Sequence, residues 1–304
     1  AISGIDMALL DLKGKVLGVP CYELLGGAYR KDILLYANYW FTKGGHNEAD
    51  YAEQARAVKA AGFTGLKFDP FAHTNYFYGE DLASNLTLTP AQQDLAFNVS
   101  KAVREAVGPE VDIMIETHAM LNYRIAVKMA ERLATLDIAW YEEPAGPESS
   151  QTLRAMRERI PSDVAICVGE RHYTRFGIRS LLEKHVCDII MPDITRCGGP
   201  SEMKRMATMA EAYQVLLAPH NPNGPLSTLA SSHVCASVPN FFRQEFMFND
   251  VPWRDTVIDH PIADMVYDGH LHLSDRPGLG VDLVEEEMEK HPGITSNPPE
   301  NFYI

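Results

Sequence analysis

The chain is poor in the features that mark several protein classes. Five cysteines occur in 304 residues, at positions 21, 167, 187, 197 and 235. Their number is odd and no two are spaced C-x-x-C, which argues against a disulfide framework and a zinc ribbon. Reduced thiols in a cytoplasmic protein are the expectation. No apolar run reaches about 18 residues, so no membrane span is expected. Basic residues are scarce: 27 Lys and Arg stand against 41 Asp and Glu, a net charge of −14. That balance argues against nucleic acid or an anionic membrane as the main partner. A small anionic substrate stays compatible with it, because a bound divalent cation reverses the local field. The opening AISGIDMALLDLKGK lacks the charged-then-apolar order of a signal peptide. It has no initiator Met and starts inside a helical pattern, so a segment upstream of residue 1 is expected.

What is present is apolar sequence, 46% of the chain, enough for a large core in one (β/α)8 barrel or two smaller domains. Between Asp112 and Glu245 come IMIETH, AWYEEP, AICVGER, DIIMPD, VLLAPH and FFRQE. Each is a short apolar run ending in or beside an acid or histidine: Glu116, Glu142, Glu170, Asp193, His220 and Glu245. They recur about every 25 residues, the length of one strand and one returning helix. Continuous apolar strands fit a parallel sheet buried on both faces. With DILLYANY (32–39) and GLKF (65–68) placed before them, eight strands are predicted, each followed by a helix except the last. The expected domains are a catalytic barrel over 1–248 and an irregular tail over 249–304. In the tail, DGHLHLSDRPGLGVDL reads as a short hairpin and turn. A first helix is predicted over Ser3–Leu17, capped by Ser3. Residues 70–90, aromatic, polar and without period, read as a substrate-covering loop after strand two.

Such a barrel brings the C-terminal ends of its strands to one mouth, where its active site lies. Glu116, Glu142 and Glu170 end three consecutive strands, and three converging carboxylates would not all stay ionised unaided. A divalent cation resolves this, and all-oxygen ligation favours Mg2+ or Mn2+ over zinc. One such Glu alone is as readily a helix cap; three at equivalent places are not. In YEEP the residues leave Glu142 and Glu143 open, since side chains alternate along a strand. Asp193 and His220 end neighbouring strands, and a carboxylate beside a histidine fixes its tautomer and raises its basicity. His118 lies two residues after Glu116, on the same face if the strand continues, and is a candidate proton donor to a leaving group. Lys67 and Asp69 (KFD) and His172 (GERHYTR) are candidate substrate contacts.

The motifs SGIDMALLDLKGKVLGVPCYELLGG, WYEEP, GER, MPDITRCGG, APHNPNGP and RPGLGVDL, in that order, resemble the enolase superfamily. The resemblance is to its mandelate racemase subgroup, and within that to acid-sugar dehydratases. It implies Mg2+-assisted abstraction of the proton α to a carboxylate, with a histidine base. It implies Glu116, Glu142 and Glu170 as ligands, with Glu142 the one chosen in YEEP. It implies His220 with Asp193 as the base dyad, and Glu245 as an acid that hydrogen-bonds the substrate carboxylate or enolate. There are departures. Strand three commonly ends in Asp, here Glu116. Asp69 stands where racemases carry the second Lys of KxK, and Thr195 where lactonising relatives carry Lys. The N-terminal α+β capping domain of such proteins is not in these residues, and the C-terminal tail resembles the segment that returns to it. The expected activity is dehydration of a sugar acid to a 2-keto-3-deoxy acid, in a homo-oligomer. A racemase or epimerase on the same scaffold, and a catalytically silent barrel, are the competing readings.

Overall fold

The structure, a computed structural model, describes residues 1–42, 45, 47–72, 87–248 and 251–291. Eight parallel strands form the barrel: β1 (Asp32–Asn38), β2 (Gly65–Phe68), β3 (Asp112–Glu116), β4 (Trp140–Glu142), β5 (Ile166–Val168), β6 (Ile189–Ile190), β7 (Leu216–Leu217) and β8 (Gln244–Met247). Neighbours pair in sequence from β1 to β7. Closure comes from β8 against β1, with Leu35 opposite Gln244 and Asn38 opposite Met247. On its other side, Leu217 of β7 bridges Phe241, just before β8.

The helices follow the predicted rhythm. After a first helix α1 (Ile2–Leu17) and a single turn α2 (Cys21–Leu24), six of them link the strands from β1 to β7: α3 (Glu48–Ala60), α4 (Pro90–Val107), α5 (Tyr123–Ala134), α6 (Ser150–Arg157), α7 (Thr174–Glu183) and α8 (Pro200–Glu211). The last crossover, α9 (Pro225–Ala236), leads to β8. Their starts are legible locally. Thr89 and Gln92 make a reciprocal capping box ahead of Pro90, and Asn47 and Asn122 accept from the first-turn N–H groups of α3 and α5, satisfying donors a helix start leaves open. Two apolar layers result. Tyr36, Met114, Trp140, Cys167, Ile189, Met191 and Ala218 pack inside the barrel. A larger layer, including Leu35, Leu66, Ile113, Ile115 and Ile166, packs between strands and helices. At the N-terminal end of the strands Arg243 is buried, bonded to Asp112 at 2.6 Å and to the Leu35 carbonyl.

The tail is tied to the barrel. Its hairpin, β9 (Val266–Tyr267) and β10 (His270–His272), is where DGHLHL predicts one. It adds to β1 antiparallel, with Asp32 opposite His272. A short helix α10 (Glu285–Lys290) follows.

One local expectation is corrected. Ser3 does not cap α1; the helix starts one residue earlier, and Ser3 Oγ accepts from the Gly198 N–H instead. The apolar period of α1 faces out of the barrel: Ile2, Ile5, Leu9, Leu12 and Val16 are each more than half exposed. Its docked face mixes Met7 and Leu10, which pack against the core, with polar residues. Asp6 accepts from the Ser201 N–H and hydroxyl, Asp11 from the Leu279 N–H, and Lys15 reaches the Val281 carbonyl. All but the ends of the 70–90 segment lies outside the described residues, and so does the covering loop expected there. Among the described residues no helix is long and apolar enough to cross a membrane.

Candidate active site

Most of the predicted residues meet at the C-terminal end of the strands. Glu116 and Glu142 sit opposite each other in the β3–β4 register, and Glu170 follows β5 by two residues. One carboxylate oxygen from each lies within 4.8 Å of the others, and all three residues are buried. Ligands around octahedral Mg2+ with bonds of about 2.1 Å lie about 3 Å apart when cis and about 4.2 Å apart when trans, and of three ligands at least two pairs are cis. The three carboxylates would draw together to hold one cation, and their all-oxygen donor set suits a hard one. Glu143 turns away at φ 44° and accepts from the Gly169 N–H at 2.8 Å. Burial and the Glu170 charge push its carboxyl up to about 8.

Lys67 is the central cation. Its Nζ is 2.5 Å from Glu142, 2.9 Å from Glu245 and 3.6 Å from Glu116, in a buried cluster. Burial opposes its charge, yet Glu142 and Glu245 hold its pKa well above the ordinary value. Glu142 is driven well above the carboxylate range by burial first and then by the Glu116 charge. For Glu116 burial again opposes ionisation, but His118, the bond from Glu142 and Lys67 hold it low. Two N–H groups, of Thr117 and His118, also point at its Oε1.

The two histidines occupy different members of the triad. His220 Nε2 is 3.3 Å from Glu170 and its Nδ1 is 2.9 Å from Asp193. Asp193 is held down to about 2: burial opposes, but His220, Thr195 and Asn223 outweigh it. His118 Nδ1 lies 2.8 Å from Asp69 Oδ2. Burial lowers its basicity, and Glu116 and Asp69 more than restore it, raising the pKa to about 9. Strand three does not continue to His118, as one predicted placement required. His118 and Ala119 take left-handed conformations at φ 49° and 59°, closing a turn between the Met120 N–H and the Thr117 carbonyl. That turn, and not strand alternation, aims His118 at Asp69.

Glu245 is the second of four residues in β8 and not a strand end. It accepts from Asn38 Nδ2 at 2.7 Å and from the Asn221 N–H at 2.5 Å. His172 is not drawn into the cluster: it packs against Gly177 at the start of α7. Desolvation lowers its pKa. Two further partners were not singled out from the sequence. Trp140 Nε1 donates to Glu142 Oε2 at 2.7 Å. Arg171 joins Glu170 at 3.2 Å to the His118 carbonyl at 2.8 Å. Both stand inside motifs of the sequence, Trp140 in WYEEP and Arg171 in GER.

Residues 50–287 match the family described as enolase C-terminal domain-like. The protein belongs to the enolase superfamily. Residues 1–26 match the mandelate racemase / muconate lactonizing enzyme N-terminal domain, so α1 and α2 are the part of that unit these residues contain. This enolase-superfamily chain is 33% identical over 294 residues to a D-xylonate dehydratase of Haloferax volcanii, covering 96% of this chain and 69% of the relative. It is 34% identical to a D-gluconate dehydratase of Thermoproteus tenax, over 98% of this chain, and spans only 57% of that relative's length. A solved mandelate racemase/muconate lactonizing enzyme-like protein from Rubrobacter xylanophilus superposes with a TM-score of 0.88 at 35% identity, covering 96% of this chain and 77% of the other. A 3,6-anhydro-D-galactonate cycloisomerase from Zobellia galactanivorans superposes at 0.82 with 31% identity, over 95% and 74%. One scaffold therefore carries more than one named reaction.

Proposed function

We propose that the protein is an acid-sugar dehydratase that converts an aldonate or aldarate to a 2-keto-3-deoxy acid. The observation that carries this reading is the pair of carboxylate-bound histidines, His220–Asp193 and His118–Asp69, on different members of one carboxylate triad. The dehydratase names of the curated relatives support it.

Glu116, Glu142 and Glu170 are the residues that would hold one Mg2+. When bound, such a cation supplies Lewis-acid stabilisation of the negative charge that builds on the substrate carboxylate as the α-proton leaves. His220 takes that proton at Nε2. Its Nδ1–H stays on Asp193, which keeps Nε2 the basic nitrogen. Lys67 and Glu245 flank the position of the substrate carboxylate. Lys67 offsets its charge, and Glu245 orders the β7–β8 side through Asn221. His118, protonated at neutral pH with its value near 9, gives a proton to the departing β-hydroxyl. The enol so formed ketonises to the 2-keto-3-deoxy product. Racemisation on this scaffold would need a second base facing His220, and Asp69, already engaged by His118, does not supply one.

We further infer a homo-oligomer, supported by the exposed apolar stripe of α1, and a small-molecule substrate with no nucleic-acid or membrane partner. The domain reading is a barrel through residue 248 and a tail beyond it. The decisive experiment is a sugar-acid library assayed with Mg2+ for 2-keto acid formation, with proton NMR of each substrate in D2O. Dehydration of at least one aldonate or aldarate is expected. Exchange of the α-proton without loss of water on every substrate would replace this reading by epimerisation.

A further inference from the structure

Asp193 is saturated by donors. Its Oδ1 accepts from the Thr195 N–H at 2.7 Å and the Thr195 hydroxyl at 2.6 Å. Its Oδ2 receives His220 Nδ1 at 2.9 Å and Asn223 Nδ2 at 3.0 Å, with Arg196 Nε further off at 3.9 Å. A carboxylate oxygen has two lone pairs. Asn223 therefore fills the site on Oδ2 that His220 leaves open, and blocks rotation of the carboxylate that would carry it off the imidazole.

Asn223 lies in the loop after β7, and that loop is held from the tail. Arg254, buried, donates to the Asn223 carbonyl at 3.2 Å, to Thr228 Oγ1 at 3.0 Å and to the Met247 carbonyl at 2.8 Å. Thr228 Oγ1 also accepts from Asn221 Nδ2 at 2.8 Å. One guanidinium thus ties the end of β8 to the loop that bears His220, Asn221 and Asn223. We propose that Asn223 is a positioning residue of the His220–Asp193 base unit, and that Arg254 acts through it. The kinetic part rests on the dehydratase reading above; the geometric part does not.

The test uses the whole chain labelled with 15N-histidine, and the variants Asn223→Ala, Asn223→Asp and Arg254→Gln. The metal-free readout is solvent exchange of the His220 Nδ1–H, assigned by its loss in His220→Asn. In N223A exchange should quicken about 10-fold, as expected on losing a hydrogen bond to a charged acceptor. The isosteric N223D sets a second carboxylate against Asp193 and should disturb the resonance more than N223A, and it serves if N223A does not fold. In kinetics, kcat should fall about 10-fold with KM unchanged, the size expected for an outer partner of a site residue. R254Q should quicken exchange in the wild-type background and add nothing in N223A. If N223A and N223D both leave the Nδ1–H and kcat as in wild type, the assignment of Asn223 is overturned. If R254Q has its full effect in N223A, Arg254 does not act through Asn223. If the wild type turns over no sugar acid while the Nδ1–H still responds to N223A, the dehydratase reading falls and the positioning role stands.

Discussion

Lys67→Met tests whether the Lys67 ammonium is what keeps the carboxylate cluster folded before a metal arrives. Its Nζ has Glu142 at 2.5 Å, Glu245 at 2.9 Å and Glu116 at 3.6 Å, all inside the barrel. At an effective dielectric of about 20, a unit pair near 4 Å is worth about 4 kcal/mol before desolvation is subtracted. Removing one partner of a buried ion pair costs about 3–5 kcal/mol net, because the other charge stays buried. Methionine fills the volume of the lysine stem, so little of the loss comes from packing. For a domain of this size a change of that order lowers Tm by about 5–10 °C. The deficit should shrink as Mg2+ is added, because a cation binding only the folded state stabilises it by mass action. It should also bind K67M more tightly than wild type, since a positive charge against two of the three ligand residues has gone. Differential scanning fluorimetry of both proteins across a Mg2+ titration measures this. A metal-free K67M that melts within about 2 °C of wild type would refute the charge argument. So would a Mg2+-induced rise no larger in K67M than in wild type.

His220→Asn should abolish both dehydration and α-proton exchange, while His118→Asn should stop dehydration and leave exchange running where abstraction is reversible. Losses of about 10²-fold or more are expected, and proton NMR in D2O separates the two variants. His233 is buried and accepts from the Tyr22 N–H, and burial pushes its pKa down to about 4. The unfolded chain, with an ordinary value near 6.5, binds the proton first, so folding stability is lost as pH falls from about 6.5 towards 4, by about 3 kcal/mol at most. Urea unfolding at pH 7 and pH 4.5 should show a smaller acid loss in His233→Gln than in wild type; equal losses would place the proton uptake elsewhere. Light scattering at micromolar concentration should give an oligomer, and a monomer there removes that proposal.

The barrel was legible because its signal repeats: apolar runs at a near-constant interval, each closed by a polar residue. The same regularity grouped Glu116, Glu170 and one acid of YEEP as a set, and the family resemblance chose Glu142 over Glu143. What the sequence hid are effects of non-local contact. No local pattern says that Lys67 sits among three glutamates, because two of those lie 75 and 178 positions away in the chain, at Glu142 and Glu245. His118 depends on two consecutive left-handed residues, neither of them glycine, for which composition gives no warning. Glu245 looked like a strand end because the apolar run stops before it, yet pairing with β1 carries β8 on to Met247. The docked face of α1 was not legible either: its acids find N–H partners on the barrel beside Met7 and Leu10, and its longer apolar stripe faces out.

The same comparison bears on why this scaffold should eliminate and not racemise. In the proposed reaction both sides of the triad carry an imidazole bonded to a carboxylate, but the two carboxylates differ. Asp193 is held near 2 by four hydrogen-bond donors, so it is a fixed anion that keeps the Nδ1–H of His220 and leaves Nε2 to accept. Burial raises the Asp69 pKa, and among the described residues the Phe71 N–H is bonded to its other oxygen. Its partner His118 also has the Glu116 charge beside it, which favours the imidazolium. Neighbouring acids raise the pKa of both imidazoles against burial, so the proposed division of labour, His220 receiving a proton and His118 releasing one, rests on the fixed Nδ1 partner of His220 and not on a difference in basicity. A lysine at position 69 would remove the anion that holds His118 and would set a cation against that imidazolium. Asp69→Lys should therefore lower dehydration at least as far as His118→Asn does, while α-proton exchange through His220 persists.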